Sequence, residues 1–409
     1  MQLRYSFRVY PTPGQRIALA QAFGCARVAY NDALRIREDA RKAGLPFVPS
    51  GKLSKQLTAA KKTPERAWLA EVSSVVLQQS LRDLDSAYRN FFSGLKGKRP
   101  RMGAPRFKSR KDNRHTIRFT ANAGWKITHG GKLRLPKIGD IAVRWSRTLP
   151  SVPSTVTVVK DAGGRYFASF VVETGTDETL PEVAPVVGID LGLTHFAILS
   201  DGTKIESPRF LRRAEKKLKK AQRDLSRKAK GSANRVKARV KVAREHARTA
   251  DARREFHHQL STKIIRENQA VAVEDLSVKG LARTRMAKSV HDAGWSAFLA
   301  MLEYKAARYG RTLIRIGRFE PTSQVCSQCG VKDGPKPLNV RVWTCGACTA
   351  VLDRDINAAV NVAKAAGLAV SACGARVRPG LVPAQRGETG THPKPQPVTT
   401  CRQAGISVL

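Results

Sequence analysis

Two kinds of side chain in this sequence are spaced to hold metal ions. Cys326-Ser-Gln-Cys329 is followed, after fifteen intervening residues, by Cys345-Gly-Ala-Cys348. Each CxxC turn aims two thiolates at one point, and two such turns complete a tetrahedral zinc site. A redox CxxC would use one pair and leave the other idle. Four thiolates leave no open position, so the expected role of the zinc is structural. Gly330 and Gly346 are expected to permit the tight backbone of each knuckle. The segment between the pairs is expected to present Lys332, Lys336 and Arg341 to nucleic acid.

The second kind is carboxylate. Asp190 ends the run VVGID, Glu274 ends AVAVE with Asp275 beside it, and Asp355 lies in LDRDINAAVN at the beginning of a predicted helix. A carboxylate at the end of a buried strand is costly unless it is paired or binds a cation. Three of them brought together would hold one or two Mg²⁺ or Mn²⁺ by hard oxygen ligation. Such a centre suits phosphodiester hydrolysis, where metal activates the attacking water and stabilises the leaving oxygen. Each acid also has an ordinary reading. Asp190 alone reads equally as a turn residue, Glu274 as an ion-pair partner of basic helices, and Asp353 or Asp355 as a helix cap. We assign the cap to Asp353 and the metal to Asp355. More than 80 residues separate each acid from the next, so spacing does not bring them together. On pattern alone Asp275 and Asp201 stay open as alternatives.

The elements that must position these groups follow from periodicity. Leu3, Tyr5, Phe7 and Val9 alternate with polar residues, which predicts a half-buried strand. Thr12-Pro13 supplies a cap and a first-turn proline for a helical stretch to about Gly44. A second helical stretch is expected over about 64–95, with Leu77, Leu81, Leu84 and Tyr88 at helical spacing. Short strands follow from about residue 106 to 174, the last two flanking the hairpin signal Asp161-Ala-Gly-Gly. A helical block thus interrupts a β-domain whose first strand is N-terminal. Beyond the boundary ETLPEVAP come three short strands, VVGIDLG, THFAILSD and TKIES. Residues 212–254 then hold 18 Lys/Arg and four Asp/Glu, predicting two phosphate-facing helices with a turn at Gly231-Ser232. A separate helix around Glu255–Glu267, the strand AVAVED, a loop, a helix around Trp295–Tyr309 and the strand TLIRIGRF follow. The last predicted helix runs from near Arg354 to about Ala366, and residues 373–409, rich in Pro, Gly and Thr, read as a disordered tail.

Charge names the partner. Against 32 Asp+Glu stand 74 Lys+Arg, a net +42. A surplus of that size self-repels, and a polyanion relieves it by giving up condensed counterions. No apolar run reaches the ~18 residues of a spanning helix, and the start MQLRYSFRVYPT has no apolar core of a signal peptide. We therefore expect an intracellular nucleic-acid-binding protein. Cysteines in such a chain argue against a disulfide framework. Cys25, Cys373 and Cys401 read as small buried or tail residues.

Taken in order, RVYPT, ARVAYN, SLRDLDSAYRNFF, PRFKSR, GIDLGLTHFAILSDG, VEDLSVKGL, DAGWSAFLAMLEYKAARYG, PTSQVCSQCG and LDRDINAAVN resemble the TnpB (OrfB) proteins of insertion sequences. These are RNA-guided nucleases related to type V CRISPR effectors, and the resemblance extends to about residue 370. It implies an α/β multidomain chain. A RuvC-like nuclease of RNase H fold would occupy 184–321 and 350–372, with a zinc ribbon inserted at 322–349. A β-barrel-like wedge domain would comprise 1–10 and 105–183, interrupted by a helical recognition domain at 11–104. The family's acidic motifs fall on Asp190 in GIDLG, Glu274 in VEDL and Asp355 in DRDIN, as ligands of catalytic Mg²⁺ or Mn²⁺. Cys326, Cys329, Cys345 and Cys348 would hold Zn²⁺. The implied partners are a guide RNA from the transposon end and double-stranded target DNA beside a short transposon-associated motif, with a cytoplasmic, nucleoid-associated location. A transposase proper and a nuclease-inactive guided binder are the rivals; all three acids are present, which counts against the second.

Overall fold

The alternation at Leu3, Tyr5, Phe7 and Val9 becomes strand β1 (Gln2–Tyr10), with Tyr5, Phe7 and Val9 buried, in a computed structural model that describes residues 1–175, 179–337 and 339–368. The predicted tail, with Cys373 and Cys401, lies outside the described residues. Helix α1 (Pro13–Lys42) starts at the expected cap. Thr12 Oγ1 accepts from Gln15 N, and Gln15 Oε1 accepts from Thr12 N at 3.0 Å, a reciprocal capping box with Pro13 in the first turn.

The stretch expected as one helix over 64–95 is divided. A 3₁₀ turn spans Ala67–Glu71, Val72 is extended, and α3 (Ser74–Leu95) begins after it. The apolar spacing continues across the break, so periodicity did not reveal it. Helix α2 (Ser50–Ala60) was not foreseen; it is 11 residues long and buries only Leu53. Strands β2 (His115–Thr120), β3 (Lys126–Ile127), β4 (Leu133–Leu135), β5 (Gly139–Arg144), β6 (Thr155–Lys160) and β7 (Tyr166–Glu173) complete a seven-stranded antiparallel sheet. Its order is β2-β6-β7-β1-β5-β4-β3, so β1 lies at the centre and β2 and β3 at the two edges. The sheet wraps an aromatic core of Phe7, Trp145, Phe170 and Trp125, with Phe7 and Trp145 rings 4.7 Å apart. Leu19, Ala22 and Phe23 of α1 and Leu77 of α3 share that core, so the helical insert rests on the sheet it interrupts.

The second sheet carries the acids. Strands β8 (Val186–Asp190), β9 (His195–Leu199) and β10 (Lys204–Glu206) precede a basic helical hairpin, α4 (Phe210–Ser226) and α5 (Ala233–Glu267). The expected turn is present: Gly231 has φ +88°, and Ser232 caps α5 by accepting from Arg235 N. The separate helix expected at Glu255–Glu267 is instead the last part of α5, which runs unbroken for 35 residues. Strand β11 (Ala270–Glu274), short helices α6 (Val278–Leu281) and α7 (Ala287–Ala293) where a loop was expected, helix α8 (Trp295–Tyr309) and strand β12 (Thr312–Ile316) follow. The hairpin β13 (Val342–Thr344) and β14 (Val351–Asp353) leads into α9 (Arg354–Ala365). The five-stranded order is β10-β9-β8-β11-β12, with β8, β11 and β12 parallel. Both faces are covered, as a parallel sheet requires. Val271 and Val273 face α5 and α8, whereas Ala270 and Ala272 pack against Val362 and Ala363 of α9. No helix among the described residues is long and apolar enough to cross a membrane.

Candidate metal centre and cysteine site

The parallel register sets the first two acids side by side. Ala272 pairs with Gly188 and Val273 with Ile189, so the next pair in register is Glu274 with Asp190, at neighbouring strand ends. Side chains alternate along a strand. Asp190 therefore shares its face with Gly188, and Glu274 with Ala270 and Ala272, the face that α9 covers. The same parity turns Asp275 the other way, where it pairs with Arg318 at 2.7 Å.

Gly188 explains how the third acid comes close. A Cβ added there would lie 2.1 Å from Ala359 O and 2.7 Å from Ala363 N. Helix backbone sits directly on strand backbone, with only Ala358, Ala359, Val362 and Ala363 between helix and sheet. This approach brings the first turn of α9, with Asp355, to the ends of β8 and β11. Asp353 takes the capping role expected of it, accepting from Asp355 N at 3.0 Å and Ile356 N at 3.1 Å, and pairs with Lys204 Nζ at 2.5 Å. Asp201 is a turn residue in the β9–β10 connection, accepting from Thr203 N.

Among the described residues only the four cysteines lie close enough together to share one metal ion, and the electrostatic link among the acids is seen at Asp190. The Asp190 carboxyl is pushed up to about 7, first by its removal from water and then by the charges of Glu274 and Asp355. Part of the residue still reaches solvent, but protein atoms crowd the carboxyl itself. Arg354 and Arg341 act in the opposite sense and do not cancel the effect. Buried like charges of this kind are resolved by a proton or by a cation, and an all-oxygen donor set suits a hard divalent ion.

Two partners of the acids were not foreseen. Thr322 Oγ1 donates to Glu274 Oε1 at 2.6 Å. Arg341 Nη1 donates to both oxygens of Asp355 at 3.0 Å. Arg341 is thus not simply offered to nucleic acid as expected, because a carboxylate neutralises it. Lys336 is likewise turned inward, its Nζ held by Asp333 and Gly334 carbonyls and lying 4.2 Å from the Trp343 ring centroid; Lys332 remains exposed. Neither partner could be found by motif, since both depend on where the cysteine segment folds back.

That segment closes as expected. The Sγ atoms of Cys326, Cys329, Cys345 and Cys348 all lie within 4.8 Å of one another. The Cys326–Cys348 and Cys329–Cys345 separations are 3.7 Å. Tetrahedral zinc–sulfur bonds of about 2.3 Å give edges of about 3.8 Å, so the cage fits that ion. The two knuckles repeat one pattern. Gly330 N donates to Cys326 O and Thr349 N to Cys345 O, both at 2.9 Å. Gly330 (φ +76°) and Thr349 (φ +58°) occupy the matching left-handed position. Thr349, and not Gly346, is therefore the residue under backbone strain in the second knuckle.

Helix α9 also grips this segment. Asn361 Nδ2 donates to Thr322 O at 2.8 Å and Val325 O at 2.6 Å, and Asn357 Nδ2 donates to Val325 O at 2.8 Å. Asn357 Oδ1 accepts from Ser327 N at 2.7 Å. Both asparagines are buried. Four residues apart, they share one helical face. The cysteine site and the acid cluster are consequently joined through Thr322, Asn357, Asn361 and Arg341.

Comparisons with known proteins agree with this architecture. Residues 169–285 match the OrfB family profile described as "Probable transposase", and residues 295–362 match "Cas12f1-like, TNB domain". Residues 1–45 match a profile called "Helix-turn-helix domain", although here they form one strand and one unbroken helix. A Streptomyces pristinaespiralis protein named "Putative RNA-guided DNA endonuclease" is 47% identical over 99% of this chain and 98% of its own length. "Putative RNA-guided DNA endonuclease InsQ" of Escherichia coli (strain K12) is 32% identical over 92% of this chain and 95% of its own. Among solved structures, a Cas12f1–sgRNA–target DNA complex shares the fold with a TM-score of 0.53 at 14% identity, covering 85% of this chain and 82% of that one.

Proposed function

The chain belongs to the TnpB (OrfB) family of RNA-guided DNA endonucleases, and on that premise we propose that it cuts double-stranded DNA chosen by pairing with a bound RNA, using Asp190, Glu274 and Asp355. The observation that carries the chemical part is Asp190 and Glu274 at neighbouring strand ends on one sheet face, with Asp355 in the first turn of the helix covering it and the Asp190 carboxyl pushed up to about 7. Asp190, Glu274 and Asp355 would hold Mg²⁺ or Mn²⁺. Bound there, the metal supplies an activated water and charge stabilisation for the leaving oxygen of the phosphodiester. The remaining work belongs to the chain. Gly188 lets α9 approach, the β8–β11 register sets two acids abreast, and Thr322 fixes the rotamer of Glu274 by donating to one oxygen. Cys326, Cys329, Cys345 and Cys348 would hold Zn²⁺ and so fix the segment that carries Thr322 and Arg341.

The basic excess supports the partners. The α4–α5 hairpin carries most of the 18 Lys/Arg of residues 212–254, and Glu215, Glu245 and Asp251 are engaged in ion pairs there. Such a surface follows phosphate backbone and duplex shape and leaves sequence to base pairing. We assign the RNA to the transposon end and the DNA to sites beside a short transposon-associated motif, met on the nucleoid. We propose the wedge, recognition and nuclease domains with the boundaries given above.

The test begins with the nucleic acid that co-purifies with the protein. A defined RNA, and Mg²⁺-dependent cutting that follows its guide segment, is the expected result. Asp190→Ala, Glu274→Gln and Asp355→Ala should each abolish cutting and retain the RNA. Cutting of DNA without RNA, or strand joining on transposon ends, would move the assignment to a free nuclease or a transposase.

A further inference from the structure

The most exposed large apolar side chain among the described residues stands on a turn tied to the end of the strand that carries Glu274. Phe319 is 93% exposed. It occupies the tight turn Gly317-Arg318-Phe319-Glu320 that follows β12, closed by Glu320 N donating to Gly317 O at 3.3 Å. Single exposed apolar residues are common and need no explanation. This one differs in how its turn is held. On one side Arg318 is fixed to the end of β11, its Nε donating to Asp275 O at 3.1 Å and Nη2 to Asp275 Oδ2 at 2.7 Å. On the other side Thr322 N donates to Glu320 O at 2.8 Å, and the Thr322 hydroxyl donates to Glu274. The two anchors are consecutive residues at the end of β11, and Glu274 is one of the three clustered acids. The ring is thus carried on a short pinned turn beside the carboxylates and has no aromatic partner among the described contacts.

We propose that Phe319 is a stacking platform for a nucleobase of the DNA strand being cut, setting its phosphate over the acid cluster. The inference rests on the nuclease reading above and adds a substrate-binding residue to it. Every base offers a π-face, so a lone ring grips a single strand without choosing its sequence, as a guide-directed nuclease requires. Arg318 alongside adds positive charge for the flanking phosphate, although Asp275 shares it. The held turn fixes where the ring is attached, so binding has only the two side-chain torsions of Phe319 to order.

The experiment places 2-aminopurine at successive positions of each strand of a guide-matched target, bound to the RNA-loaded Asp190→Asn protein so that no cutting intervenes. A position is expected where fluorescence is quenched with Phe319, released in a Phe319→Ala background and quenched again with Phe319→Trp. With Asp190 restored, Phe319→Ala should slow single-turnover cutting by about tenfold to a hundredfold, the worth of one aromatic–base stack. Phe319→Trp should recover the rate, and RNA retention should not change. Identical fluorescence profiles for Phe319 and Phe319→Ala at every position would overturn the proposal, whether or not the rate falls. Failure of the nuclease reading has a different signature: the unsubstituted protein would retain no defined RNA or cut nothing.

Discussion

Replacing Asp190 by Asn should make the metal-free protein more stable while destroying its activity. A carboxyl moved from 3.8 to about 7 carries roughly 4 kcal/mol of penalty once ionised, at about 1.36 kcal/mol per pH unit. Relaxation and bound counterions reduce that, so a gain of about 2–4 kcal/mol is expected at pH 8. The sign follows from proton counting. The unfolded chain loses this proton near pH 4, but the folded chain keeps it to about pH 7. Across that window the folded state binds more protons, so stability falls as pH rises, and the full penalty stands above pH 7. The gain from Asp190→Asn should accordingly be largest at pH 8 and less than half as large at pH 5. For a cooperative unit on the order of 150–250 residues it corresponds to a rise in Tm on the order of 5–10 °C by differential scanning fluorimetry. Added Mg²⁺ should raise the Tm of the unsubstituted protein and leave the Asp190→Asn variant nearly unmoved, closing the gap. A variant less stable than its parent at pH 8, or a gain equal at both pH values, would refute the account of Asp190 as a carboxyl held out of water beside like charges.

Other perturbations separate the supporting parts. Gly188→Ala should prise α9 from the sheet, costing about 3 kcal/mol or more and exposing α9 to limited proteolysis, because the added methyl meets helix backbone that has no rotamer to give. Thr349→Gly should stabilise the four-cysteine cage by about 1 kcal/mol, seen as slower zinc loss to a chelator, since glycine adopts φ +58° without strain. Arg341→Ala should leave the fold intact and tighten Mn²⁺ binding a few-fold in calorimetric titration, because an exposed cation worth about 0.2–1 kcal/mol no longer competes for Asp355. Cys345→Ser should cost solubility or folding, assessed by expression yield and zinc content, since cage and ion form together.

Much of this site was readable from residue types because each acid stands where alternation or capping gives it a local meaning. The strand ends at Asp190 and Glu274, the cap at Asp353 and the cysteine pairs all follow from short-range pattern. The small residues Gly188, Ala270 and Ala272 also carried information: their period-two spacing marks the face that a helix must approach closely, and it separates Glu274 from Asp275. What local pattern lacks is the return of distant segments. Thr322 and Arg341 look like ordinary loop residues until the cysteine cage turns them toward Glu274 and Asp355. Asn357 and Asn361 look like surface residues of an amphipathic helix until carbonyls of the same segment reach them. The break at Val72 and Ser73 and the unbroken course of α5 failed for a related reason, since apolar spacing does not register two non-helical residues, and a run of charge does not end a helix.

Helix α9 comes last among the described elements, and it brings the third acid. A ribosome releases the chain from its N-terminus, so the first sheet and the α4–α5 hairpin emerge well before Asp355. On the proposed function, the basic surface would begin to gather RNA while the acid cluster still lacks a member. On that function, synthesis itself would impose an order in which the protein holds a guide before it cuts.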